Sequence, residues 1–296
     1  MKKQLLFTFV TLVVIVWIVL WVHTGIKGIV SYIDMKLFNN TYKTTMLQNR
    51  IFDGKTLQFD SVLENQIQFM LSMIHANSNM YCKGMIPSEL RHLNNMELID
   101  IFEVEEYEYV GACYGNSDIF VFVFRSSSSV RNWIDNILGA RYLADFTEGS
   151  DCKVHSGFMK NYESIRLQVQ SRLLMCSKTD AKIIFTGHSL GGALSLCAMA
   201  DAFSVESIDK TKLSAYTFGC PKVGNKEFAK QFDKNTVYRI SNTEDIISQL
   251  PVWPILLWHV GTPILFCNNI GSLYDNHNYN NSIRLFDSNG NEKVHK

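Results

Sequence analysis

Five stretches of patterned apolar and polar residues succeed one another along the chain, and each predicts an element. Residues 5–22 (LLFTFVTLVVIVWIVLWV) carry no charge, and Thr8 and Thr11 are their only polar side chains. At 1.5 Å per helical residue this run is about 27 Å long, close to the thickness of a bilayer core. Over residues 57–80, Leu57, Val62, Leu63, Ile67, Met70, Leu71 and Ile74 recur at helical spacing. They predict a long amphipathic helix whose apolar stripe packs on the core. Residues 97–114 set β-favouring apolar groups among acids, which predicts peripheral strands. Glu103, Glu105, Glu106 and Glu108 nearly alternate there, which suits a solvated strand face better than a metal site. Ile119 to Phe124 (IFVFVF) is unbroken and predicts a parallel strand covered on both faces. After it, Val130, Trp133, Ile134, Ile137 and Leu138 fall on one face of a short helix preceded by a hydroxyl-rich cap. That helix is either part of the core or a movable cover beside a strand end.

Residues 182–203 (KIIFTGHSLGGALSLCAMADAF) organise the rest. The β-favouring run Ile183, Ile184, Phe185 breaks at Gly187, and a helix-forming run begins at Ala193 and continues through Leu194, Leu196, Ala198, Met199 and Ala202. Between them lies Gly187-His188-Ser189-Leu190-Gly191, a G-x-S-x-G element in the strand, turn and helix context it requires. A serine on a strained turn needs neighbours without Cβ atoms, so that strand and helix pack closely while its hydroxyl points outward. Val237 to Ile240 reads as a further strand. The sum is an α/β fold with a mostly parallel central sheet flanked by helices.

Composition sets the bounds. The 296 residues are 47% hydrophobic and 19% charged, with 28 basic and 28 acidic side chains, so no basic field argues for nucleic acid. The expected organisation is an N-terminal membrane anchor or signal segment at 1–25, a polar connector at 26–56 and one catalytic domain at 57–296. The apolar run is longer than the 7–15 residues of a signal peptide and ends without a small-x-small cleavage site, so an uncleaved transmembrane anchor is expected, with secretion after cleavage as the alternative. Lys2 and Lys3 favour a cytoplasmic N-terminus and a lumenal or extracellular catalytic part, and Trp17 and Trp21 suit the far interface. The seven cysteines fit no zinc spacing, and Cys197 and Cys220, in apolar segments, read as buried thiols. Asn39-Asn40-Thr41 and Asn280-Asn281-Ser282 are glycosylation triplets. No phosphate loop, dinucleotide fingerprint or metal cluster occurs, so no cofactor or metal is expected.

The chemistry that remains is nucleophilic. A free serine hydroxyl is a poor nucleophile and needs a general base, and around this kind of turn the partners follow in the order serine, acid, histidine. Asp201, Asp209, Asp233, Asp245, Asp275 and Asp287 follow Ser189. Asp245 lies just past the strand at Val237 to Ile240, where the acid belongs, with Glu244 as the second choice. His259, His277 and His295 follow in turn. His259 leads into an apolar strand, His277 sits in a polar loop and His295 in the tail. The N–H of Leu190, directly after the nucleophile, is a ready oxyanion donor.

GHSLGG, together with FRSSSSVRNWIDNI, VHSGFMKNY, FGCPKVGN and NTEDIISQLP, resembles the fungal-type (class 3) lipase family over residues from about 60 to 286. The resemblance implies an α/β-hydrolase fold, a Ser189, Asp245 and His277 triad, and a short helical lid that opens at a lipid interface, here carrying Trp133, Ile134, Ile137 and Leu138. It assigns the second oxyanion donor to Ser127, through its N–H and hydroxyl. Ser126 stands where the family usually has glycine, and His188 is expected to be a packed elbow histidine. The activity implied is carboxylester hydrolysis, most of all of triacylglycerols, through an acyl-enzyme. Phospholipase A1 and mono- or diacylglycerol lipase use the same triad, and a non-catalytic lipid-binding protein is the alternative from another class. The expected partner is an acylglycerol at a membrane or droplet interface.

Overall fold

The computed structural model describes residues 96–104, 108–127, 143–232, 236–250 and 257–266, together with residues 70, 73, 74, 92, 93, 276, 277, 279, 285, 286, 292 and 293. The chain divides into units Met1–Gln58 and Phe59–Lys296, and every described residue belongs to the second. The predicted anchor and connector therefore lie outside the described residues. So do the predicted lid, with Trp133, Ile134, Ile137 and Leu138, and most of the predicted helix over 57–80. Among the described residues no helix is long and apolar enough to cross a membrane.

An eight-stranded sheet forms the centre. Its strands are β1 (His92–Leu93), β2 (Met96–Val104), β3 (Glu108–Gly115), β4 (Ile119–Phe124), β7 (Lys182–His188), β8 (Leu213–Phe218), β9 (Val237–Asn242) and β10 (Thr262–Phe266), lying side by side in that order. A separate antiparallel pair, β5 (Leu143–Asp145) and β6 (Lys153–His155), stands outside it. From β4 to β10 each neighbouring pair is parallel, whereas β1 to β4 pair antiparallel. The IFVFVF run thus corrects the simplest expectation of a strand between parallel neighbours: β4 is the seam, antiparallel to β3 and parallel to β7. Its apolar character still has the expected cause, because alternate side chains enter two cores. Phe122 and Phe124 pack on one face and Val121 and Val123 on the other. β7 divides in the same way, Ile183 and Phe185 against Ile184.

The first core lies under α1 (Ser156–Glu163), α2 (Arg166–Cys176) and α3 (Leu190–Ser204), through Phe158, Tyr162, Val169, Leu173 and the apolar residues of α3. The second is closed by Met70, Met73 and Ile74, which are helical and buried. Every residue of α3 from Leu190 to Ala202 is buried, as befits a helix that is apolar all round. Cys197 and Cys220 are buried free thiols.

The one carboxylate within α3 is satisfied in the core. Asp201, 1% exposed, accepts from Arg166 Nε and Nη2 at 3.0 and 2.7 Å, from the Tyr162 hydroxyl at 2.8 Å and from Gln170 Nε2 at 3.1 Å. Arg166 also donates to the Phe146 carbonyl at 3.0 Å and stacks on that ring. Removing one member of such a buried pair leaves the other charge uncompensated. Arg166→Met is therefore expected to lower the unfolding free energy by about 3–5 kcal/mol in urea titration. An unchanged midpoint would mean that Tyr162 and Gln170 suffice to hold the carboxylate.

Candidate active site

β7 ends at His188 and α3 begins at Leu190, so one residue makes the whole turn. That residue, Ser189, has φ 57° and ψ −119°, and it is the only non-glycine among the described residues with positive φ. Such a conformation costs about 1–3 kcal/mol and persists only where its surroundings fix it. Ser189 N donates to the Phe218 carbonyl at 2.9 Å, and its own carbonyl accepts from Gly192 N at 3.0 Å. The flanking glycines are required by space. A Cβ on Gly187 would stand 2.3 Å from the Gly191 backbone, and one on Gly191 would stand 2.2 Å from the Phe124 carbonyl oxygen.

The serine hydroxyl meets a histidine. His277 Nε2 lies 2.7 Å from Ser189 Oγ, and His277 Nδ1 lies 2.8 Å from Asp245 Oδ2. A carboxylate only accepts, so Nδ1 carries the proton and Nε2 presents its lone pair to the hydroxyl. This arrangement can remove the hydroxyl proton as the oxygen attacks. Ser189 and Asp245 are both 0% exposed and His277 1%. Asp245 follows β9 by three residues. Its Oδ1 accepts from the N–H groups of Ile247 and Ser248, at 2.9 and 3.3 Å, and its Oδ2 from His277 and the Tyr279 hydroxyl, the latter at 2.9 Å. Every lone-pair direction of the buried carboxylate has a donor.

Tyr279 and Gly219 are participants that the sequence reading did not single out. The Tyr279 hydroxyl also accepts from Asn242 N at 2.8 Å, and burial, then the Asp245 charge, pushes its pKa well above the ordinary value. It therefore remains a proton donor to the carboxylate. Gly219, at the exit of β8, has φ +54°, and a Cβ there would stand 2.8 Å from the Tyr279 ring and 3.1 Å from both Asp245 Oδ2 and the His277 ring. The Tyr279 signal was its place two residues after His277. For Gly219 only the left-handed backbone gives the reason, and no local pattern announces it. Asn242 Nδ2 donates to the Asn276 carbonyl at 3.0 Å, and His188 Nε2 lies 2.8 Å from the His277 carbonyl.

The remaining sequence choices fall as follows. Leu190 opens α3 directly after Ser189. Ser127 lies on the segment leaving β4, and the close approach of Gly191 to Phe124 brings that segment beside the turn. Glu244 N donates to Asn242 Oδ1 and the residue is only partly buried. Asp201 belongs to the Arg166 cluster, and Asp209 caps a 3-10 turn by accepting from Thr211 N. Asp233, Asp275, Asp287 and His295 lie outside the described residues. His259 precedes β10 rather than entering it and lies 3.5 Å from Gln249 through Nε2. Burial, then the Arg239 and Lys222 charges, pushes its pKa down to about 2. Among the described residues no group of three or more His, Cys, Asp or Glu side chains is placed to hold a metal ion.

Known proteins share this fold. The family model for class 3 lipases matches residues 121–254, which include the Ser189 turn and the Asp245 loop. The chain is 27% identical over 248 residues to a lipase of Rhizomucor miehei, a match covering 79% of this chain and 67% of that protein. It is 33% identical over 147 residues to a secreted mono- and diacylglycerol lipase of Fusarium solani, covering 48% of this chain and 42% of that one. A solved structure of the Rhizomucor miehei triacylglyceride lipase superposes with a TM-score of 0.60 at 27% identity, over 71% of this chain and 82% of that one. Over residues 121–254 the chain is therefore similar to the class 3 lipases, and its fold is similar to that of the Rhizomucor miehei lipase.

Proposed function

We propose that the protein is a serine ester hydrolase that cleaves acylglycerols through an acyl-enzyme. The observation that carries this reading is the unbroken line from Ser189 Oγ through His277 to Asp245, at 2.7 and 2.8 Å. Ser189 attacks the ester carbonyl while His277 Nε2 takes its proton. The Leu190 N–H and the Ser127 N–H and hydroxyl receive the developing oxyanion, each such donor contributing about 3–4 kcal/mol. His277 then protonates the leaving alcohol, and later deprotonates the water that releases the fatty acid. Asp245 orients the imidazole and stabilises its charged form.

The names of the relatives support the substrate class: a triacylglyceride lipase and a mono- and diacylglycerol lipase. A net charge of zero offers no basic field for anionic headgroups, which favours neutral glycerides over phospholipids. Residues 130–138, whose apolar spacing suits a lid, and residues 5–22, whose length suits a membrane anchor, complete the proposal: an enzyme tethered at its N-terminus that works at a lipid interface.

Hydrolysis of emulsified triolein and of p-nitrophenyl esters from C4 to C16 tests the chemistry. Ser189→Ala and His277→Ala are each expected to lose about 10,000-fold or more in kcat/KM. A fluorophosphonate should label wild type but not Ser189→Ala; a folded wild type that neither labels nor hydrolyses any ester would favour lipid binding alone. Tyr279→Phe removes a hydrogen bond to a charged group and leaves Asn242 N without its acceptor, so kcat should fall about tenfold with KM little changed. Unaltered kcat would make Tyr279 a packing residue only. For the anchor, full-length protein should stay in the membrane pellet after alkaline carbonate extraction, and its release would contradict a spanning helix.

A further inference from the structure

The imidazole of His188 touches two segments at once. Its Nε2 lies 2.8 Å from the His277 carbonyl oxygen, and its Nδ1 lies 3.3 Å from the Ser126 hydroxyl. Its ring faces that of His277 at 4.6 Å between centroids and that of Tyr279 at 5.2 Å. A carbonyl oxygen can only accept, so Nε2 must carry the proton. In a neutral ring Nδ1 is then an acceptor, and the Ser126 hydroxyl donates to it. The opposite tautomer would point an Nε2 lone pair at carbonyl lone pairs across 2.8 Å. The His277 carbonyl thus sets the tautomer, and the Ser126 hydroxyl adds a second anchor by donating to Nδ1. A glycine at position 126, as the resemblance leads one to expect, has no group to make this bond.

We propose that Ser126 and His188 are positioning residues acting as one unit. The Ser126 hydroxyl fixes the His188 ring, and the ring holds the His277 backbone, so that the segment carrying the base and the segment carrying Ser127 are tied through one side chain. The functional consequence rests on the ester-hydrolase reading above. The physical link does not. His277 Nε2 has to stay in line with Ser189 Oγ, and a shift of its backbone misaligns that hydrogen bond, which lowers the rate of attack more than it weakens binding of an ester.

The test is a double-mutant cycle between Ser126→Ala and His188→Gln, with Ser126→Gly and Ser126→Thr beside it. A glutamine Nε2 can reach the carbonyl as the imidazole Nε2 does, but presents nothing where Nδ1 stood. With p-nitrophenyl butyrate, Ser126→Ala and Ser126→Gly are expected to lower kcat about five- to tenfold with KM within about twofold, and to slow fluorophosphonate labelling of Ser189 in proportion. Ser126→Thr, which keeps the hydroxyl, should restore the rate. In the His188→Gln background Ser126→Ala should cost nothing further. An undiminished kcat in Ser126→Ala, or the same loss in both backgrounds, overturns the proposal. Nitrogen-15 spectra of the full-length protein, with the His188 signal assigned by its absence in His188→Gln, give a second reading independent of turnover. Both proteins should show the Nε2–H tautomer, with the His188 Nδ1 resonance shifted downfield in Ser126→Ala by loss of its hydrogen bond, and an unshifted Nδ1 resonance overturns the link. A wild type inert towards every ester but showing this Nδ1 shift on mutation would sink the ester-hydrolase reading and leave the link standing.

Discussion

Where Gly191 passes the Phe124 carbonyl, the backbones of a helix and a strand exit come so close that no Cβ fits between them. That contact sets the position of most of the chemistry. It forces α3 to begin immediately after β7, which leaves Ser189 to make the turn alone with positive φ, and it draws residues 125–127 against the helix N-terminus. The strain at Ser189 is about 1–3 kcal/mol. Burying the apolar side chains of α3 contributes about 1.5–3 kcal/mol for each large residue, and Leu190, Leu194, Leu196 and Met199 are all buried. The helix therefore outweighs the strained turn several times over. A serine held this way is positioned by the core of the fold rather than by its own preferences.

The histidine is held by different means. Residues 276, 277 and 279 belong to no strand, yet each is anchored to something that does: Asn276 through its carbonyl to Asn242 at the end of β9, His277 through its carbonyl to His188 at the end of β7, and Tyr279 through its hydroxyl to Asn242 N. Hydrogen bonds from strand ends thus replace secondary structure as the source of rigidity. The same tyrosine closes the last lone-pair direction of Asp245, so one side chain both locates the loop and satisfies the carboxylate. An unsatisfied carboxylate at 0% exposure would be far more costly than any of these bonds is favourable.

What was legible in the sequence follows from range. The elbow was readable because its requirement is local: two glycines around a serine, between an apolar strand and an apolar helix. β4 was readable as a buried strand from six residues, but its mixed pairing was not, since IFVFVF reports that both faces are covered and nothing about neighbour direction. Asp245 was found from its distance past β9. Gly219, Tyr279 and the Asp201 cluster were not, because their reasons lie 26 to 60 residues away in other elements: Tyr279 and Asp245 for Gly219, Asn242 and Asp245 for Tyr279, Arg166 and Tyr162 for Asp201. His188 was read as a packed histidine, and that was half of it. The other half is a pair of ring nitrogens in opposite roles, which only the partners reveal.

The burial of the three side chains decides which contribution matters most. In water, an imidazolium and a carboxylate about 4 Å apart attract by about 1 kcal/mol, whereas nearer an effective dielectric of 20 the figure is about 4 kcal/mol. Ser189, His277 and Asp245 are all at or below 1% exposure, so the second regime applies. In the proposed mechanism, the charge that appears on His277 when it takes the serine proton is then stabilised by a carboxylate already in place. No solvent has to reorganise to meet it, and Asp245 itself needs no movement because its four donors are fixed beforehand. The same regime makes position costly to lose: a small displacement of the imidazole would strand that charge away from its counter-ion in a medium that cannot screen it. That is why so many of the bonds around this site serve geometry, and why they converge on the backbone of His277 as well as on its ring.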